Sequence, residues 1–556
     1  MAKKQKPTTA PADNGMKNVS DYRFPEATRK NNPPAKIAAE GFVPLIPKAE
    51  YLYSPRRPPE LRFDPTGGAD ELPELLAKAT QQELTEAEAG ALAEALRIYE
   101  PWLEWAGKRE TRSFTVDPVA LHIHERVSTQ AILRMAARED VNRSLFADPE
   151  QEYNEAVQFY KHDVDWSNRL ILGDSLQVMS SLARREDLAG KVQMIYFDPP
   201  YGIRFASNFQ SEIGKRDVKD KDADLTREPE MVKAYRDTWS LGVHSYLAYL
   251  RDRLTVAKEM LTDTGSIFVQ IGDENAHRVR SLMDEVFGAE NFCSFITVKK
   301  TGGLGADLLK NVADYLLWFA KDKPRVKYRQ LYSEKVQGEG ETTGARYDQV
   351  ALPDGSRRSL TTEERAEPAL IPEGTRTFQL DNLASSGTTP SCVYDHDYQG
   401  VTYRAGGQRS WKTNLTGMTR LSSANRLHGT GASLRYVRFL DDFAAFEPNN
   451  VWTDVAVGTS KIYVVQTPTS VAERCLLMTT DPGDLVLDPT CGSGTTAYAS
   501  EQWGRRWITI DTSRVSIAVA RQRLLTAKFE YFKLKDEGNG VAGGLRCKVV
   551  PHITLK

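Results

Sequence analysis

The sequence is poor in cysteine, and the five it has (Cys293, Cys392, Cys475, Cys491 and Cys547) form no CxxC pair. That spacing excludes a disulfide framework and a zinc knuckle. No run of about 18 apolar residues occurs, so no membrane span is expected. The N-terminus MAKKQKPTTAPADNG lacks the apolar stretch of a signal peptide, and a cytoplasmic protein is expected. Neither sign of charge dominates: a net charge of −2 over 556 residues favours no charged partner, and any nucleic-acid surface has to be a local patch. What is present is ordinary for a globular protein, 40% hydrophobic and 27% charged residues, in a chain long enough for two to four domains.

Residues 1–60, rich in Pro, Lys and Ala, read as a tail or surface strap. In the accessory region 61–164, Thr85 and Glu88 make a capping box for a helix that should stop near Pro101. LHIHERV alternates like a strand with His122 and His124 on one face; lacking a third ligand, the pair is read as two half-exposed strand histidines and no metal site is expected. From about 165 to 329 the pattern becomes α/β. NRLILGD, KVQMIYF and SIFVQI are buried strands, separated by SLQVMSSLARRE and by a helix whose Leu247, Leu250, Leu254, Ala257 and Leu261 form one apolar stripe, with Gly265 closing it. DLVL and RWITI, in 456–530, supply two more strands. The alternation predicts a parallel, doubly wound sheet built from two distant pieces of chain. Between them, 330–455 loses the rhythm and reads as an inserted module. The segment 531–556 ends in the strand-like CKVVPHITLK, and a fragment of a longer protein is expected.

Two motifs carry chemistry. In DLVLDPTCGSGTTAYASEQWGRRWITIDTS a strand enters a glycine turn at Gly492 and Gly494, a helix follows, and Asp511 ends the next strand. Such a turn lets a ligand approach the backbone, and the acid accepts from ribose hydroxyls. GSGTTA also satisfies GxGxxA, so a dinucleotide competes with S-adenosylmethionine here; a Walker loop is excluded because no Lys follows. The second motif is DPPY at 198–201. A given tetrapeptide occurs by chance in roughly 0.3% of chains this long. An acid, carbonyls stiffened by prolines that donate no N–H, and an aromatic face make a slot for an extruded amino-bearing base.

DPPY with an upstream GD and a downstream DPTCGSGTT…ID resembles the DNA amino-methyltransferases in which the catalytic motif precedes the cofactor motif, such as the modification subunits of type III restriction systems. NRLILGDSLQVM, GKVQMIYFDPPYGI, SYLAYLRDRL and GSIFVQIGDENAHRVRSLMDEVFG carry the likeness over about 165–320 and 460–527. The N-terminal region more weakly resembles large methyltransferases of phage-defence clusters. The resemblance implies a Rossmann-like α/β methyltransferase sheet, permuted in sequence, with an inserted target-recognition domain and an N-terminal extension. It implies S-adenosyl-L-methionine as cofactor and Asp198, Pro199, Pro200 and Tyr201 as the catalytic loop. Asp488, Pro489, Thr490, Gly492, Gly494 and Thr495 would line the methionine part, flanked by Thr467 and Pro468. Asp511 would hold the ribose and Asp174 the adenine amino group. Both acids have a competing reading as helix N-caps. Thr490 departs from the family's Phe, and Cys491 reads as a packing residue of the turn rather than a nucleophile.

Within the family it resembles, Asp rather than Ser at 198 favours N6 of adenine; N4 of cytosine, an RNA or protein-amide substrate, and a non-catalytic specificity subunit are the alternatives. Implied partners are duplex DNA, a restriction or helicase subunit, other defence-system proteins and a second copy of the chain. DNA binding is expected between Gln399 and Leu440, where Arg404, Arg409, Lys412, Arg420, Arg426, Arg435 and Arg438 occur without one Asp or Glu. Tyr403, Trp411 and Tyr436 interleave with them for contact with phosphates and bases. A solvated basic surface is the competing reading.

Overall fold

The computed structural model describes residues 49–52, 78–79, 84–90, 103, 105, 108, 113–117, 119–127, 166–201, 243–300, 309, 311–337, 344–431, 433–455, 467–527, 529, 532–536, 538–547 and 549–553. The continuation of the Thr85 helix toward Pro101 and most of the tail lie outside them.

The central layer is a nine-stranded sheet made of β1 (His122–Val127), β2 (Asn168–Leu172), β3 (Val192–Phe197), β4 (Leu261–Ile271), β5 (Phe292–Lys299), β6 (Ala313–Ala320), β7 (Val451–Trp452), β8 (Leu485–Asp488) and β9 (Arg506–Asp511). Its order is β7-β5-β6-β4-β3-β8-β9-β2-β1. Strands β3 and β8 are buried along their whole length, as continuous apolar runs in a sheet covered on both faces should be. The sheet is mixed rather than wholly parallel. Strand β1 pairs antiparallel with β2, and β6 runs antiparallel between β4 and β5. Residues 300–312 connect β5 to β6, which pair directly as antiparallel neighbours.

Among the described residues six helices cover the sheet: α1 (Ser175–Arg185), α2 (Val243–Met260), α3 (Asp273–Phe287), α4 (Thr469–Thr479), α5 (Thr495–Gln502) and α6 (Arg514–Thr526). Leu247, Leu250, Leu254 and Ala257 of α2 are buried as their spacing predicts. The helix stops earlier than expected, however: Leu261 already belongs to β4 and Gly265 lies inside that strand. One core cluster joins α1, α2 and α3 to one face of the sheet; a second, including Trp507, Cys475 and Leu476, lies on the other.

The described stretch of the strap, Ala49–Leu52, is bound more tightly than its composition suggests: it pairs with Ser113–Val116. Tyr51, buried in the first cluster, stacks on Phe114 at 5.3 Å and donates a 3.0 Å hydrogen bond to Ser180 Oγ.

The inserted segment has a core of its own. Its antiparallel sheet has the order Arg357–Ser359, Gln349–Ala351, Arg376–Asn382, Ser433–Phe439, Leu427–Thr430. Beside it Leu383, Tyr403, Trp411, Met418, Leu427, Leu434 and Tyr436 pack together. The chain then rejoins the main sheet as β7, parallel to β5. Asp442, fully buried, accepts from both Arg426 Nη1 (2.5 Å) and Arg426 Nη2 (2.8 Å) and from Phe439 N–H (2.9 Å). Removing the arginine breaks both of its bonds to the buried carboxylate and leaves Arg376, 3.8 Å away, as the remaining counter-charge. Arg426→Met should therefore destabilise the segment by about 3–5 kcal/mol in chemical denaturation; a loss below about 0.5 kcal/mol, the range of an ordinary surface change, would contradict this role.

Candidate active site

In a parallel sheet the carboxyl ends of the strands open on one edge, where ligand crevices form. Here β3 and β8 are neighbours, with Met194 opposite Val486 and Ile195 opposite Leu487. The turns that follow them, 198–201 and 489–494, therefore meet although nearly three hundred residues separate them. Asp198 N–H donates to Thr490 Oγ1 at 2.9 Å. A Phe at 490 could not accept that bond, so the departure from the family pattern ties the two motifs together. Thr490 N–H in turn donates to Asp488 Oδ1 at 2.9 Å.

The glycine turn forms as its spacing predicts. Gly492 and Gly494 take positive φ of 51° and 72°, a region open to glycine at little cost. A Cβ on Gly494 would also stand 2.9 Å from the Cβ of Ala520, so α5 and α6 pack closely there. Thr495 begins α5, and its hydroxyl accepts from Arg523 Nη1 at 3.0 Å. Asp511 is not a helix cap: Ser513 caps α6. The Asp511 carboxylate instead accepts from Gly492 N–H (2.9 Å) and Ser513 N–H (2.8 Å), which holds it beside the turn. Asp174 does cap its helix, accepting from Leu176 N–H (2.9 Å) and Gln177 N–H (3.2 Å), and it also pairs with Arg253. Asp174, Leu172, Gly173, Tyr249, Arg253 and Thr512 line part of a cleft of about 580 Å³. Cys491 is buried, and burial pushes its thiol well above the usual range, so no thiolate nucleophile is held there.

Several contributors were not among the predicted residues. Gln270 Nε2 donates to Tyr201 OH at 2.7 Å, and Tyr201 OH donates to Asp314 Oδ2 at 3.2 Å. Asp314 forms an ion pair with Lys300. Gln270 Oε1 accepts from Tyr196 OH at 2.5 Å. Thr467 Oγ1 lies 3.2 Å from both Asp198 Oδ2 and Gln270 Oε1; its single proton serves one acceptor at a time. Pro468 caps α4 without a side-chain bond. The available signals were faint ones: a lone amide in the apolar SIFVQI and a lone acid opening the apolar ADYLLWFA.

The basic residues of the insertion divide. Arg409, Lys412 and Arg420 are exposed, and Arg435 and Arg438 are half-buried. Arg404 pairs with Asp395, and Arg426 is held by Asp442. The stretch is free of acids only in sequence, because the fold supplies them from either side. Tyr403, Trp411 and Tyr436 are not surface platforms; all three are buried in the core of the insertion, where Trp411 Nε1 donates to Tyr394 O at 2.9 Å. An antiparallel sheet this small needs its large aromatics inside to close a core at all. His122 and His124 lie side by side on β1, their rings 6.4 Å apart.

Crowding acids at one edge shifts their titration. Burial raises Asp198 to about 7, with Asp314 and Asp488 adding repulsion. Burial raises Asp488 to about 7 and Asp511 to about 6, against the turn N–H groups that favour the charged forms.

Residues 192–522 match the DNA methylase family N6_N4_Mtase. The chain is 25% identical over 403 residues to the HindVI Mod subunit of Haemophilus influenzae, covering 64% of this chain and 50% of that one. It is 26% identical over 344 residues to the type II methyltransferase M.EcaI of Enterobacter cloacae, covering 60% and 64%. The chain thus spans between half and two thirds of the length of these curated relatives. The PvuII DNA methyltransferase (cytosine-N4-specific) aligns in structure with a TM-score of 0.31 and 15% identity, over 67% of this chain and 92% of that one.

A raised carboxyl pKa means that the folded chain keeps a proton the unfolded chain has released. The associated stability is fully present below the ordinary value near 3.8 and is lost as pH rises through about 7. Asp488→Asn should therefore raise the melting temperature at pH 8 and converge with the native chain toward pH 4, each displaced unit being worth roughly 1.4 kcal/mol. A difference independent of pH would show that Asp488 has the same pKa in the folded and the unfolded chain.

Proposed function

The chain belongs to the N6/N4 DNA methylase family, and from that premise we propose that it is a site-specific DNA methyltransferase, moving a methyl group from S-adenosyl-L-methionine to the exocyclic N6 amino group of adenine in duplex DNA. The observation that carries this reading is the junction of the DPPY and glycine turns through Asp198 N–H and Thr490 Oγ1.

S-adenosyl-L-methionine, when bound, supplies an electrophilic methyl group, so no protein nucleophile is needed. The donor set fits such a group: two left-handed glycines, the anchored Asp511 carboxylate, and a cleft ending at Asp174 and Tyr249. In this reading Asp511 accepts from the ribose hydroxyls. A carboxylate oxygen takes more than one donor, so Asp174 caps α1, pairs with Arg253 and still accepts from the cofactor's amino group. Asp488, Pro489, Thr490, Gly492, Gly494 and Thr495, with Thr467 and Pro468 opposite, line the methionine part.

Asp198 and the carbonyl of Pro199 accept from the target amino group, which directs the nitrogen lone pair out of the ring and toward the methyl group. Tyr201 gives the extruded base a surface to stack on, offsetting the few kcal/mol that extrusion costs. Residues 330–455 are the target-recognition module, with Arg409, Lys412, Arg420, Arg435 and Arg438 supplying phosphate and base contacts. The setting is restriction-modification or phage defence, with a restriction or helicase subunit as partner.

Asp198→Ala should abolish transfer of label from the cofactor to DNA while cofactor and DNA affinities change by less than about tenfold. Digesting the native product to nucleosides names the base: N6-methyladenine is expected, and N4-methylcytosine would replace the adenine assignment. Because Asp198 must be ionised to accept, and burial raises it to about 7, methylation should fall as pH drops below that value.

Asp511→Ala should weaken cofactor binding by about 1 to 3 kcal/mol, the loss expected for a buried charged acceptor. Unchanged affinity by calorimetry would remove Asp511 from the ribose site.

A further inference from the structure

The ring of Tyr201 is enclosed to a degree that a flexible turn residue does not require. Its hydroxyl is fixed twice, accepting from Gln270 Nε2 at 2.7 Å and donating to Asp314 Oδ2 at 3.2 Å. Its carbonyl accepts from Asn275 Nδ2 at 2.8 Å. A Cβ on Gly272 would stand 3.0 Å from Cδ2 of the ring, so only glycine leaves the ring its place without a shift. The Lys300 ammonium lies 5.6 Å from the ring centroid and is held there by its ion pair with Asp314.

These partners come from three strand ends and a helix start, not from the turn itself. Gln270 is near the end of β4, Asp314 near the start of β6, Lys300 just after β5, and Asn275 in the first turn of α3. Because β6 runs antiparallel between β4 and β5, its first residues lie at the same edge as their last ones. Gln270 is engaged at both ends, its oxygen accepting from the Tyr196 hydroxyl while its nitrogen donates to Tyr201. That polarity fixes the amide's orientation and makes Tyr201 OH the donor toward Asp314.

We propose that Gln270 and Asp314 are positioning residues that hold the phenol of Tyr201 from both sides, so that its ring stands ready for a base to stack on it, with Lys300 holding Asp314 in turn. The proposal rests on the reading of this edge as the target-base site. An aromatic platform fixed before the base arrives loses no rotamer freedom when stacking begins, and a misplaced one costs turnover far more than it costs cofactor binding.

The test is a double-mutant cycle on the full chain, measured as kcat for methyl transfer to DNA alongside calorimetric affinity for S-adenosyl-L-methionine. Asp314→Leu and Gln270→Leu should each lower kcat by roughly ten- to a hundredfold, with cofactor affinity unchanged within about twofold. Asp314→Asn, which keeps an oxygen acceptor for the phenol, should recover most of the loss. In a Tyr201→Phe background, which keeps the ring and removes the hydroxyl, Asp314→Leu should add less than about threefold. An Asp314→Leu loss of the same size in both backgrounds would overturn the proposal, because the carboxylate would then act other than through the phenol. A crystal structure gives an arm that does not depend on activity: with both Gln270→Leu and Asp314→Leu, the Tyr201 ring should leave its place or lose its density, and an unmoved, ordered ring would overturn the proposal. Failure of the functional reading itself looks different, since the native chain would then transfer no methyl group to any DNA.

Discussion

The parallel pairing of Val192–Phe197 with Leu485–Asp488 is the constraint on which the site depends. Val192, Met194, Ile195, Phe197, Leu485, Val486 and Leu487 are buried apolar residues, so the pairing is driven mainly by apolar burial on both faces of the sheet, with Gln193, Tyr196 and Asp488 as its buried polar members. Yet the register it adopts decides where two polar turns end up. A slip of one residue would turn every side chain to the opposite face and part Asp198 N–H from Thr490 Oγ1.

Bringing strand ends together has an electrostatic cost. Asp198, Asp488 and Asp511 gather at one edge, with Asp314 close by, and burial raises the carboxyl pKa of each. The fold offsets this locally with N–H donors from the turns of Thr490, Gly492 and Ser513, and with Lys300 against Asp314. Among the described residues the Asp198 carboxylate, unlike those of Asp488 and Asp511, meets no main-chain N–H and accepts from the Thr467 hydroxyl. An acceptor left open in this way suits a group that takes a hydrogen bond from a ligand.

The insertion follows a separate logic. It leaves the main sheet after β6, builds a small antiparallel sheet around its own aromatics, and returns through β7. Strand β7, itself the edge of the sheet, pairs with β5, so the exposed cations Arg409, Lys412 and Arg420 belong to a body attached to that edge. Arg404 and Arg426 fall out of that basic set because Asp395 and Asp442, which flank the acid-free stretch in sequence, fold back onto them.

Local chemistry was what the sequence determined by itself. Apolar runs marked β2, β3, β4, β8 and β9, because burying a strand on both faces demands continuous hydrophobicity. Glycines at 492 and 494 marked a left-handed turn, because other side chains are strained there. The DPPY quartet stood out because stiff carbonyls next to an acid and an aromatic have few structural uses. Each of these signals lies within a few residues of its cause. Tertiary structure alone decided the rest. It reversed β1 and β6, ended α2 early, and placed Tyr403, Trp411 and Tyr436 inside the insertion instead of on its surface. It made Asp174 a helix cap and Asp511 an anchor of the glycine turn. Above all it assembled Gln270, Asp314, Lys300 and Thr467 around Tyr201 and Asp198. Their partners lie tens to hundreds of residues away, and hydrogen bonds act over about 3 Å, so only the register of neighbouring strands could bring them within reach.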